Sequence, residues 1–180
     1  MNKRYLSANE YLSDTWRLAA KVRASGWRPD LLLALWRGGA TVGVALHEYF
    51  KASGWNGLDH MPVKCASYTG IGESSGEVRF FHAEAVFASL KPGQRVLVVD
   101  DVFDSGRTAA ALKARIDATG AEMRFACVYW KSPFNKTGFA PDYFTKDVGA
   151  DWLVFPHEIE GLSREEIGEK DPALLALLDA

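Results

Sequence analysis

Cysteine is nearly absent: Cys65 and Cys127 are the two in 180 residues. Each sits in an apolar, strand-like stretch, where a small buried thiol of a reducing compartment belongs, so no disulfide framework or thiolate metal site is expected. The four histidines are scattered without ligand spacing, which argues against a transition-metal centre. No apolar run approaches the ~20 residues that span a bilayer, and Met1 to Asp14 lacks the apolar stretch of a secretory signal. A cytoplasmic address and no membrane partner are the expectation. An excess of one charge is lacking as well. A net charge of −2 offers no broad basic surface to nucleic acid, so any anion site must be local. Two common phosphate motifs are missing too. No Gly-x-Gly-x-x-Gly follows a strand, which leaves a dinucleotide fold unsupported. Gly38 to Gly43 has the glycine spacing of a P-loop, but Val44-Ala45 stands where Lys and Ser or Thr are required.

What is present is an ordinary globular composition, 48% hydrophobic and 24% charged, in a length that suits one domain, residues 1–180. Ser7-Ala8-Asn9-Glu10 has capping-box form and opens a helix in which Tyr11, Trp16, Ala19 and Val22 recur at roughly helical spacing, up to Gly26. Asp30 to Leu35 is a continuous apolar run, the pattern of a strand buried on both faces. Thr41 to Phe50 reads as a helix, Met61 to Tyr68 as a strand, and Arg79 to Phe81 as a returning strand. Thr69 to Glu77, with three glycines and two serines, reads as a mobile loop of the kind that forms lids. Val96 to Val99 is a four-residue buried strand, Ser105 to Thr119 a helix, Arg124 to Trp130 a strand, and Trp152 to Phe155 a last short one. Ser163-Arg164-Glu165-Glu166 forms a second capping box and starts a helical tail. Alternating strands and helices predict an α/β fold, a mostly parallel open sheet flanked by helices.

The chemistry concentrates in Val96 to Thr108, the segment VLVVDDVFDSGRT. Three carboxylates and a small polar loop follow a buried strand and precede a helix, at the strand end where open α/β sheets bind ligands. Asp104, Ser105, Gly106, Arg107 and Thr108 offer backbone amides, two hydroxyls and a guanidinium at a helix N-terminus, a receptor for a phosphate dianion. Asp100 and Asp101 would repel that phosphate unless they face ribose hydroxyls or a hydrated magnesium ion. The plainer alternative is that Asp104 or Ser105 caps the helix and that the paired acids are solvated.

This segment resembles the phosphoribosyl-pyrophosphate (PRPP) signature of type I phosphoribosyltransferases, with Ser105 where most members carry threonine. Trp36-Arg37-Gly38-Gly39 is similar to that family's pyrophosphate loop, and the resemblance implies a cis peptide at Trp36-Arg37. Ser67-Tyr68 and the stretch to Gly76 resemble the lid of the 6-oxopurine members, while Lys131 stands where those members read the exocyclic O6. Trp152-Leu153 resembles the segment that stacks on the purine and reads its edge. His157 replaces the tryptophan of the Pro-Trp-acidic ending seen in xanthine-guanine relatives.

The resemblance implies the type I fold with a small hood, Mg2+ as cofactor, PRPP and a purine base as partners, and a homodimer or homotetramer. It implies catalytic roles for Asp104, Asp100 and Asp101, with Asp104 as general base, and it puts Asp100 and Asp101 on the metal through water or ribose. Ser105 to Thr108, with Asp104, would hold the 5′-phosphate. Arg37, Gly38, Gly39, Ser67 and Tyr68 would hold the pyrophosphate, and Lys131, Trp152 and Leu153 the base. A transferase for another base, and a PRPP-sensing regulatory module of the same fold, are the alternatives. The absence of a DNA-binding appendage and the intact acid set favour catalysis.

Overall fold

The computed structural model describes residues 3–67, 78–81 and 83–180. In chain order its elements begin with β1 (Lys3–Tyr5), α1 (Ala8–Ala24), β2 (Leu31–Trp36), α2 (Gly38–Ala52), β3 (Asp59–Ser67), β4 (Val78–Phe81) and α3 (Glu84–Ser89). They continue with β5 (Arg95–Phe103), α4 (Arg107–Asp117), β6 (Glu122–Trp130), β7 (Tyr143–Asp147), β8 (Trp152–Val154), α5 (Arg164–Lys170) and α6 (Pro172–Leu178). The chain divides into two compact units, Leu12–Ala150 and Met1–Tyr11 with Asp151–Ala180.

The larger unit is built on a six-stranded sheet in the order β4-β3-β2-β5-β6-β7. All neighbours are parallel except β3 and β4, which are antiparallel. The central strands read as unbroken apolar runs because helices cover both faces: Val96, Leu97, Val98 and Val99 of β5 have no exposed surface at all. One face carries Leu31, Leu33, Val96, Val98 and Phe125 against Ala109, Leu112 and Ile116 of α4. Complete burial of one aliphatic side chain stabilises by roughly 1.5–3 kcal/mol, so this layer anchors β5 firmly. α2 packs against β2 and β5, and it comes close because Gly43 has no side chain: a Cβ there would stand 2.8 Å from that of Ala34.

Four readings of the sequence need correction. β5 does not stop at Val99 but runs on to Phe103 and takes in Asp100 and Asp101, with Asp100 opposite Cys127. Apolarity ends where the helix cover ends, whereas strand pairing follows the backbone hydrogen bonds. α4 begins at Arg107 rather than Ser105, and α2 begins at Gly38, three residues before Thr41. In α1, Trp16 is exposed, and the buried stripe is Asp14, Thr15, Leu18, Ala19 and Val22. Ser7 does accept the Glu10 amide as the sequence indicates (3.1 Å).

The smaller unit pairs β1 with β8 in parallel, Lys3 opposite Trp152 and Tyr5 opposite Val154. Tyr11 meets Phe155 edge to face at 5.2 Å. The expected capping box is present: the Ser163 hydroxyl accepts from the Glu166 amide, and the Glu166 carboxylate from the Ser163 amide. Glu166 also pairs with Lys3, and Asp171 caps α6 through the amides of Ala173 and Leu174. Among the described residues no helix is long and apolar enough to cross a membrane.

Candidate active site

Every acid of the VLVVDDVFDSGRT segment lies at or beyond the C-terminal end of β5. Beside it β2 ends in a cis peptide between Trp36 and Arg37, as the resemblance implied, and α2 starts immediately afterwards with Arg37 at its N-cap. The two glycines that follow do more than expose amides. A Cβ on Gly38 would collide with the Asp101 carboxylate, and one on Gly39 with the carbonyl oxygen of Val99. The absence of both side chains lets the loop lie directly on β5. The Gly39 amide faces the Asp100 carboxylate and favours its charged form.

The acids are held from their own strand as well. The Asp100 carboxylate accepts from the Asp101 amide (3.0 Å), and the Asp101 carboxylate from the Val102 amide (2.7 Å). Asp100 keeps slight solvent contact but is enclosed on nearly every side. Burial first, and the adjacent Asp101 charge second, push its carboxyl well above the ordinary range, against the pull of the two amides. Cations or hydroxyl donors brought to this pair would relieve that penalty. Cys65, driven up to about 11 by burial and then by the Asp100 charge, and fully buried Cys127, raised for the same reasons, stay protonated thiols. Both are free.

Past Phe103 the chain turns through Asp104 and Ser105 to Gly106, which is buried at φ 77° and forms the N-cap of α4 with no side-chain hydrogen bond. Only glycine enters this left-handed conformation without penalty. The plainer sequence alternative, a helix capped by Asp104 or Ser105, is therefore not what forms. The first amides of α4 have no intrahelical acceptor and no side-chain cap. They open with Asp100, Asp104, Ser105 and Thr108 onto a cavity of about 270 Å³ that is closed behind by Phe103 and Phe125. Asp104 and Arg107 are exposed, and Ser105 and Thr108 half-buried. An uncapped helix start, two hydroxyls and an exposed guanidinium can bind a phosphate; the exposed carboxylate beside them can accept a proton.

Lys131 lies at the end of the next strand, β6. Its amide donates to the Phe103 carbonyl (2.9 Å), its side chain is buried, and its ammonium lies 5.8 Å from the Phe134 ring centre. The larger unit thus brings Arg37, Gly38, Gly39, Asp100, Asp101, Asp104, Ser105, Gly106, Arg107, Thr108 and Lys131 to the C-terminal ends of three adjacent parallel strands. Ser67 closes β3, with its backbone opposite Val78. Tyr68 and the remainder of the expected lid, to Glu77, fall outside the described residues. Trp152 and Leu153 belong to the smaller unit, on β8, where Trp152 is half-exposed and Leu153 buried. No three His, Cys, Asp or Glu side chains converge into a metal cage among the described residues. The reading of the sequence overlooked Asn135 and Thr137, which come to lie against Gly106. No motif marks them, because the contact exists only once the loop after β6 folds back.

Comparison with known proteins bears on this geometry. The sequence model of a family described as "Phosphoribosyl transferase domain" matches residues 1–164. Among solved structures the chain is similar to a purine phosphoribosyltransferase from Pyrococcus horikoshii, with 25% identity, a TM-score of 0.69, and coverage of 91% of this chain and 99% of that one. It is similar to a hypothetical protein from Neisseria gonorrhoeae with bound ppGpp at 21% identity and a TM-score of 0.72, covering 99% and 98%. A hypoxanthine-guanine phosphoribosyltransferase from Bacillus anthracis matches at 20% identity and a TM-score of 0.68, covering 83% and 86%. The last two likenesses concern the fold alone.

Proposed function

The chain belongs to the phosphoribosyl transferase domain family and is a phosphoribosyltransferase; from that premise we propose that it transfers the 5-phosphoribosyl group of PRPP to a 6-oxopurine. The observation that carries the choice of base is Lys131, a buried lysine at the end of β6 directly beside the acid strand. A lysine there can donate to an exocyclic oxygen and has nothing to accept from an exocyclic amine. The likeness to the Pyrococcus purine phosphoribosyltransferase supports a purine as acceptor. Trp152 offers a half-exposed indole face suited to stacking on a base, worth roughly 1–3 kcal/mol in nucleic-acid systems, and the main chain at Leu153 is the candidate reader of the base edge.

In the reaction the bond from C1′ to the pyrophosphate oxygen breaks, and a purine ring nitrogen bonds to C1′. The transition state carries positive charge on the ribosyl ring, so catalysis consists mainly of positioning and charge placement. The Asp104 to Thr108 loop holds the 5′-phosphate. Arg37, with Gly38, Gly39, Ser67 and Tyr68, receives the pyrophosphate. Asp100 and Asp101 orient the ribose hydroxyls and stabilise the developing cation. Asp104, exposed at the mouth of the phosphate loop, takes the N7 proton of the purine as the new bond forms.

The donor set fits magnesium. The oxygens of Asp100 and Asp101 are hard ligands, their charges crowd each other, and PRPP oxygens and waters would complete the coordination that two carboxylates leave open. Held there, magnesium would supply positive charge to offset that of the leaving pyrophosphate.

The test is to mix the protein with PRPP and Mg2+, add single bases, and chromatograph the products. Release of pyrophosphate together with a nucleoside monophosphate on adding hypoxanthine, guanine or xanthine supports the reading. Transfer to adenine or orotate alone contradicts it.

A further inference from the structure

The loop after β6 presses its polar end against the glycine of the phosphate loop. After a short 3-10 turn, Ser132–Phe134, the chain doubles back so that the Lys136 amide donates to the Ser105 carbonyl (3.0 Å). A Cβ built on Gly106 would stand 2.5 Å from the Thr137 hydroxyl oxygen and 2.8 Å from Asn135 Oδ1. The two side chains are therefore in packing contact with the Gly106 backbone.

Those polar atoms are themselves fixed. Asn135 Oδ1 accepts from both the amide and the hydroxyl of Thr137, each at 3.0 Å. Asn135 Nδ2 donates to the Phe139 carbonyl (2.9 Å), and the Phe139 amide donates to the Thr137 hydroxyl (3.3 Å). The Phe139 ring lies 6.2 Å from that of Phe103 and meets Phe125 edge to face at 6.4 Å. The turn is thus fastened to the same aromatic wall that backs the phosphate cavity. Gly106 is the N-cap of α4, so its backbone angles decide where the first helix amides point.

We propose that Asn135 and Thr137 are positioning residues for the 5′-phosphate loop, holding Gly106 in its left-handed conformation and thereby setting PRPP affinity without touching substrate. The inference rests on assigning the 5′-phosphate to this loop.

The experiment is steady-state kinetics on Thr137→Val, Thr137→Ser and Thr108→Val, with thermal unfolding of each. Thr137→Val keeps the shape and removes the hydroxyl. It should raise KM for PRPP by about 3- to 10-fold, the range expected for one neutral hydrogen bond, with KM for the base unchanged. Thr137→Ser, which keeps the hydroxyl, should restore the PRPP value. A merely structural role would lower kcat through loss of folded enzyme and leave both KM values alone, and that outcome overturns the proposal. If Thr137→Val is silent while Thr108→Val raises KM for PRPP, the positioning role fails and the phosphate assignment stands. If both are silent, the phosphate assignment itself fails.

Discussion

Gly39 lies so close on β5 that a Cβ there would stand 2.3 Å from the Val99 carbonyl oxygen, which makes the loop after β2 and the acid pair on β5 parts of one assembly. The Gly39 amide faces the Asp100 carboxylate and favours its charged form. The two loops should therefore respond together to substitution.

Replacing Gly39 by alanine tests that unity. Its Cβ would meet a backbone carbonyl, that of Val99, which cannot rotate away. A cost on the order of 1–3 kcal/mol is expected from such overpacking, along with a large fall in kcat/KM for PRPP. At Gly38 the obstacle is the Asp101 side chain, which can turn, so Gly38→Ala should cut PRPP use while lowering the melting temperature less. Thermal unfolding set beside kinetics distinguishes them; a Gly39→Ala protein with native stability and native kcat/KM would contradict the close packing.

Asp104→Asn keeps the size of the side chain and removes its capacity to take a proton. Turnover should drop by about 10²- to 10⁴-fold, the usual range for a general base, with KM for PRPP nearly unchanged. Undiminished kcat would remove Asp104 from the proton-transfer role.

Lys131→Ala should weaken use of 6-oxopurines selectively. Loss of a charged donor to O6 predicts roughly a 10- to 150-fold fall in kcat/KM for hypoxanthine or guanine, with KM for PRPP little altered. An equal fall for every base would assign Lys131 to the architecture of the β6 end instead.

Much of this site was legible in the residues because its chemistry is local in sequence: a strand, three acids and a phosphate loop follow one another from Val96 to Thr108. That β2 and β5 lie inside a sheet covered on both faces was legible as well, from their continuous apolar runs. What stayed hidden depends on tertiary contacts. Asp14 and Thr15 are buried in α1, yet as polar residues they drop out of any apolar periodicity, and the apolar spacing instead groups the exposed Trp16 with the buried Tyr11, Ala19 and Val22. β1 and β7, of three and five residues, carry no strong alternation and exist through pairing with β8 and β6. The seat of Gly106 on Asn135 and Thr137 spans some thirty positions, and no local pattern announces it.

Asp14 itself supplies a stability prediction. Its inaccessible carboxylate accepts from the Tyr129 hydroxyl (2.9 Å) and Arg17 (2.7 Å), and Lys146 pairs with it at 2.6 Å. Burial pushes its carboxyl upward, but the bonds to Lys146, Tyr129 and Arg17 together outweigh burial and hold it below the ordinary range. A lowered folded value means that the contribution is complete above the unfolded value of about 3.9 and disappears as pH falls through the folded value. Asp14→Asn should therefore unfold more easily near pH 7, by about 2 kcal/mol, and lose less stability than the native chain on acidification from pH ~4 to ~2. Denaturant unfolding across that range checks it; parallel pH profiles would show that Asp14 carries no linked charge.

The central claim is the choice of acceptor, and kcat/KM measured in parallel for hypoxanthine, guanine, xanthine and adenine with saturating PRPP and Mg2+ tests it most directly. The account predicts that at least one 6-oxopurine exceeds adenine by about tenfold or more, the value of one charged hydrogen bond to O6. Adenine equal to or better than all three would contradict it.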